Sequence, residues 1–209
     1  AMRHADTTMR NFVREDGSCN HIVCFDPETG AFLDNPGGQG CQSGSSWSRG
    51  QAWALYGFTI SYLSTKKPEY LETAMKVADY VVSNVEKANW LTVCDFQQPA
   101  EPVLFDDAGG AIAASGLLEL SKLVPAEKAA KYFDAGVQML MAMEREHADW
   151  TEATPAIFQK CTSAYHDVPG HHICMNYGDF YLIEAVGKLL GAEYLAWLPD
   201  TCEWKVLEK

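Results

Sequence analysis

An arginine between two tryptophans is the part of this sequence best equipped for chemistry. The stretch Trp47-Ser48-Arg49-Gly50-Gln51-Ala52-Trp53-Ala54-Leu55-Tyr56-Gly57-Phe58 reads as the opening turns of a helix. Arg49 and Trp53 stand four residues apart, so they share one helix face. A guanidinium beside an indole suits a sugar that carries a carboxylate. The ring stacks on the C–H face of the sugar, and the cation takes the acid. An amphipathic helix start with a buried tryptophan and a surface arginine accounts for the spacing equally well.

Composition narrows the partners. The chain has 209 residues, 47% of them hydrophobic, enough for one sizeable core. A formal charge of −12 argues against nucleic acid and against anionic membrane surfaces. An acidic substrate would need a local cation within that field, which gives Arg49 a purpose. The longest apolar runs, such as 111–118, are too short to span a bilayer, and no signal-like segment opens the chain. Ala1 reads as a cloning remnant before a natural start at Met2. Seven cysteines without a CxxC pair read as reduced thiols, hence a cytoplasmic setting. No Cys/His cluster has zinc spacing, and the adjacent His171 and His172 point different ways on any regular element. Neither metal nor cofactor is expected.

The elements that must position these groups are helical. Residues 4–14 read as the tail of a helix, and 16–44 as a long loop with β-like pieces near Ile22 to Phe25. Such a loop in a compact domain is usually functional. Ser45 or Ser46 is expected to cap a helix reaching Leu63, and Lys66-Lys67-Pro68 to break it. Further helices are expected over 68–85, with a stripe of Leu71, Met75, Ala78 and Val82, and over 107–123, 125–146 and 177–190. Gly191 ends the last, and 192–209 closes the chain. Asp106 and Asp107 could suggest acid–base work, but capping of the 107–123 helix is the simpler reading. Asp179 is read as structural. Similar small-then-apolar helices recur around Gly57, Gly116 and Phe180, a pattern of stacked αα-hairpins. The fold class is therefore all-α, an αα-hairpin array, in one domain over 1–209.

The tryptophan–arginine helix also resembles the signature helix of the unsaturated glucuronyl hydrolases, glycoside hydrolase family 88. His4-Ala5-Asp6-Thr7-Thr8, Asp16-Gly17-Ser18 with His21, Phe25-Asp26-Pro27-Glu28-Thr29-Gly30 and Gly38-Gln39-Gly40 are similar to segments upstream of that helix. Ala111-Ile112-Ala113-Ala114-Ser115-Gly116-Leu117-Leu118-Glu119-Leu120 and Tyr177-Gly178-Asp179-Phe180-Tyr181 fit downstream, all in the family's order. Gly50-Gln51-Ala52-Trp53 favours this family over the related unsaturated rhamnogalacturonyl hydrolases, which typically have Gly-Asn-Gly-Trp.

The resemblance implies an (α/α)6 toroid with its pocket at one mouth. It also implies an activity: removal of an unsaturated uronic acid from lyase-generated oligosaccharides by adding water across the C4=C5 bond. Such chemistry needs a carboxyl that protonates the vinyl ether and then activates water. The family's two key Asp residues lie upstream of the segment that begins at His4. The chain is therefore expected to hold the C-terminal part of the toroid and to be inactive alone. His21, Gln39, Arg49 and Trp53 match the family's substrate-binding residues, and they are expected to line one concave site for an unsaturated uronic-acid oligosaccharide. A broken ring leaves helix faces uncovered, so a homodimer or a complementing N-terminal half is expected, through 4–14 and the helices near Gly57. The alternative is a non-catalytic helical module that binds sugar or a partner protein.

Overall fold

The computed structural model describes residues 1–191 and Trp197. Among them, six α-helices, one small hairpin and a single 3-10 turn (Val168–Gly170) account for the regular structure. The helices are α1 (Met2–Asn11), α2 (Ser48–Thr65), α3 (Pro68–Lys87), α4 (Asp107–Ser121), α5 (Ala126–His147) and α6 (Asn176–Leu189). The all-α array of hairpins expected from the sequence is the observed fold. The closing segment expected over 192–209 lies outside the described residues, Trp197 apart.

Two layers organise the helices. α2, α4 and α6 lie side by side as an inner layer, with α4 in the middle. α3 and α5 back them, α3 on α2 and α5 on α4. α1 reaches α3 through Asp6, whose carboxylate accepts from the Tyr70 hydroxyl at 2.7 Å and pairs with Lys67 at 3.4 Å.

The inner position explains the composition of α4. Fourteen of its 15 residues are buried, so it cannot be amphipathic. Its small residues allow close approach. A Cβ on Gly116 would stand 3.3 Å from the Tyr56 Cα of α2. A mid-helix glycine costs about 1 kcal/mol against alanine, and the packing it permits must offset that.

α3 shows the opposite pattern, one apolar face toward α2. Tyr70, Ala74, Val77, Val81 and Val85 are buried along it, with Ala78 and Val82 beside them. Burying each valine contributes roughly 1.5–3 kcal/mol relative to exposure. Ala78 and Val82 of the expected stripe lie on this buried face. Leu71 and Met75 only flank it, because the face turned to α2 is broader than a single row.

Helix ends follow the local signals in part. Lys66 takes a left-handed conformation (φ 57°) and ends α2, and Pro68 opens α3. Gly191, at φ +82°, follows α6. The serine cap expected for α2 is not made. Trp47 holds the N-cap position, and the Ser45 hydroxyl and Ser46 amide donate instead to Asp95, at 2.6 and 3.1 Å.

The β-like piece is a two-stranded antiparallel hairpin, β1 (Cys24–Phe25) with β2 (Phe32–Asp34). Asp26 Oδ1 makes its turn by accepting the Glu28 and Thr29 amides. Among the described residues no helix is long and apolar enough to cross a membrane. Nor do three or more His, Cys, Asp or Glu gather there as a metal cage.

Candidate functional site

Three loops meet at the N-terminal ends of the inner helices: 12–47, 88–106 and 148–175. Their backbone is tied down by charged side chains. Arg14 donates to the carbonyls of Cys19 at 2.9 Å and Ser45 at 2.8 Å, and also to that of Gly44. Asp95 is fully buried. Its Oδ2 takes the Cys41 amide and Ser45 hydroxyl, and its Oδ1 the amides of Ser46 and Gln97. Four donors on one carboxylate fix the turn that delivers Trp47 and Arg49. Nothing in the sequence around Cys94-Asp95-Phe96 signals this role.

Arg49 is 4% exposed, on the first turn of α2. Its Nε donates to Asp106 Oδ2 at 2.8 Å and its Nη2 to Oδ1 at 3.0 Å, a two-pronged pair. The same Nη2 also donates to the Thr162 carbonyl, and Nη1 to the Tyr177 hydroxyl at 2.8 Å. One Nη1–H of its five donors is left. The expected free cation is thus already neutralised within the fold. The reason is burial: an unpaired guanidinium there would cost several kcal/mol. Burial pushes the Asp106 carboxyl above its usual range, and Arg49 opposes that shift. Capping, the simpler reading for Asp106, does not occur. It stands at the N-cap of α4, but its carboxylate turns to Arg49.

Trp47 forms the hub of the site. The His21 ring stacks on it at 4.3 Å and 25°, and the Arg49 guanidinium carbon lies 4.9 Å from its centroid. Trp53, one turn further along, is 39% exposed. It packs against Tyr181 edge-on at 5.4 Å and against Tyr177 at 6.4 Å. Tyr177 therefore bridges Arg49 and Trp53. Gln39 lies to one side, its amide donating to the Ser163 carbonyl, while its own carbonyl accepts the Tyr165 amide at 2.9 Å.

A groove of about 390 Å³ opens between α1 and α2. His21, Trp47 and Trp53 line one end, and Phe12, Phe58 and Ser61 continue it. Of the four residues singled out from sequence, His21 and Trp53 line this groove, while Arg49 and Gln39 do not. Among the described residues no Asp or Glu lines it. Trp47 and Tyr177, both within the quoted motifs, are additions that spacing did not single out.

The other candidates have structural duties. Asp179 accepts the amides of Ile157 at 2.9 Å and Phe158 at 3.1 Å, pinning that loop to α6. His171 bonds the Tyr165 carbonyl and His172 accepts the Phe105 amide, so the two rings diverge as expected.

No protein-family model matches the chain. It is 32% identical over 195 residues to an unsaturated glucuronyl hydrolase of Bacillus sp. (strain GL1), covering 90% of this chain and 51% of that one. It is 29% identical over 207 residues to an unsaturated chondroitin disaccharide hydrolase of Streptococcus pyogenes serotype M1, covering 95% and 50%. The crystal structure of the unsaturated glucuronyl hydrolase from Bacillus sp. GL1 superposes with a TM-score of 0.81 at 30% identity, over 90% of this chain and 51% of that one. The chain spans about half the length of the relatives it matches.

Proposed function

From the homology of this chain to the unsaturated glucuronyl hydrolases over about half their length, and from the fold it shares with them, we propose that it forms the sugar-holding part of a glycoside hydrolase. The substrate class is an oligosaccharide ending in an unsaturated uronic acid. The reaction is hydration of the C4=C5 bond, after which the hemiketal opens and the glycosidic link is released.

His21, Trp47 and Trp53 present the aromatic walls of the groove, suited to the C–H face of a flat, unsaturated ring. Arg49 acts from behind. Held by Asp106 as a neutral pair, it does not meet the sugar acid with a two-pronged contact but fixes Trp47 and Tyr177 at the aromatic wall. Gln39 holds the 163–165 loop that borders the site.

The observation that carries this division of labour is the absence of any carboxylate from the groove lining among the described residues. Protonating the vinyl ether needs such a group, so this chain supplies binding and not the acid–base step. The same observation favours one second reading, a non-catalytic helical module that takes the same sugar.

An unsaturated glucuronyl disaccharide absorbs in the ultraviolet and loses that signal on hydration. Binding without signal loss is the expected result for this chain. Rapid signal loss abolished by Trp53→Ala would overturn the division of labour. Absence of any binding would overturn the sugar site.

The partner belongs to the same proposal. On α6, Phe180, Ile183, Val186 and Leu190 are exposed along one stripe, and on α2 a Cβ added at Gly57 would meet nothing. A second copy, or a complementing half with the acid–base carboxyls, fits these two faces. The α6 stripe adds to the surfaces expected from the sequence near 4–14 and Gly57.

A further inference from the structure

Behind the groove, the first turn of α4 buries two consecutive carboxylates with different partners. Asp106 carries Arg49. Asp107 meets His147, the last residue of α5, with Nδ1 2.7 Å from Oδ1 and both side chains almost fully buried. Burial pushes Asp107 above the usual carboxylate range, and the hydrogen bond from His147 opposes it.

The two acids also share one strand of backbone. The Asp107 amide donates to the Lys160 carbonyl at 3.1 Å, and the Thr162 hydroxyl donates to the Phe105 carbonyl at 2.7 Å. Thr162 is the residue whose carbonyl receives Arg49. The Phe105 ring closes the knot edge-on against His147 at 4.7 Å.

A buried Asp–His pair invites a catalytic reading, but neither residue lines the groove. A metal reading fails because no third ligand joins them among the described residues. What the geometry does is mechanical. His147 holds Asp107, Asp107 anchors residue 160 and the start of α4, and those two elements present Asp106 and the Thr162 carbonyl to Arg49.

We propose that His147 and Asp107 form a positioning pair that sets the orientation of Arg49. The consequence for sugar binding rests on the reading of the Arg49 neighbourhood given above, whereas the mechanical coupling does not.

The Arg49 Nε–H gives the coupling its own signal in nitrogen-15 NMR, since its hydrogen bond to Asp106 slows exchange with water. Two substitutions test it. His147→Asn keeps a donor where Nδ1 stands. His147→Gln keeps the amide but moves the donor one bond outward. Losing a charged, buried hydrogen bond is worth about a tenfold change in an opening equilibrium.

His147→Gln should therefore speed Arg49 Nε–H exchange about tenfold, with the Val77 and Val81 amides of α3 unchanged. His147→Asn should stay within about threefold of the parent. Equal behaviour of the two variants, or acceleration that Val77 and Val81 share, would overturn the proposal. Titration with the unsaturated glucuronyl disaccharide separates the two readings. If the parent protein binds none, the sugar site fails while the exchange result still judges the pair.

Discussion

Replacing Asp106 by Asn tests whether Arg49 is a structural cation held by one acid. The side-chain shape is kept and the charge is lost. Arg49 stays ionised at every accessible pH, since its proton is not removable in a protein. It would be left buried at 4% exposure with an amide whose nitrogen faces its own Nη2. Breaking one side of a buried pair costs about 3–5 kcal/mol. A domain of this size loses about 2–4 °C of melting temperature per kcal/mol, so the fall should be roughly 6–20 °C.

The mirror substitution, Arg49→Met, should behave differently with pH. Asp106 then lacks its counter-ion, and burial, already raising its pKa, is opposed only by the weaker hydrogen bond from the Thr162 amide. A folded-state pKa above the unfolded one means that the folded protein binds the extra proton. Its stability therefore falls as pH rises from the ordinary carboxylate value through the raised one. The Arg49→Met deficit should shrink toward pH 4. The double variant Arg49→Met/Asp106→Leu should recover at least about 1.5 kcal/mol over the sum of the singles. Urea unfolding followed by far-ultraviolet circular dichroism measures all three. An Asp106→Asn variant within about 0.5 kcal/mol of the parent, or additive singles, would refute the reasoning.

Gly57→Ala should stabilise the chain by about 0.5–1 kcal/mol in the same assay, because the site is mid-helix with nothing within 4 Å of the added Cβ. Destabilisation would mean that another surface covers α2 there. Asp79 sits between Lys128 and Lys131 at 2.7 and 2.9 Å, and although burial raises its pKa, those two hydrogen bonds prevail and lower it. Its contribution is therefore present above the ordinary carboxylate value and lost as pH falls through the lowered one. Asp79→Asn should remove under about 1 kcal/mol at pH 7 and less at pH 2 than at pH 7, read from thermal melts at both pH values. The 209-residue chain should self-associate in sedimentation velocity, with Ile183→Lys on the α6 stripe shifting it toward monomer. A monomer at high concentration would remove a second copy as the cover for that stripe.

Much of the fold was legible because helix signals are local. Pro68 and Gly191 bound their helices where their backbone preferences dictate, and on α3 Ala78 and Val82 are buried as expected while Leu71 and Met75 flank the buried face. The site was legible as a motif and less so as a mechanism. Spacing brought Arg49 and Trp53 to one face, and Tyr177 touches both. That Arg49 would be neutralised by Asp106, far along the chain, depends on α4 lying against α2, a tertiary fact with no local trace. For the same reason Asp106, read as a cap, became an ion-pair partner, since a buried guanidinium outweighs a cap hydrogen bond worth about 1 kcal/mol. Asp95 was invisible because its four partners belong to loops, where no periodicity marks what is buried.

The small side chains of α4 act as a calliper. Gly109 and Gly116 hold α2 at contact distance, and on α6 a Cβ added at Gly178 would stand 3.4 Å from Ala108 of α4. The spread between Trp53 on α2 and Tyr177 on α6 is therefore gauged by side-chain volume on a helix in the core behind the groove. A methyl group at position 116 would meet the Tyr56 Cα of α2 at 3.3 Å and so reset that spread from the interior. The aromatic wall can in that way be re-spaced with every one of its rings unchanged.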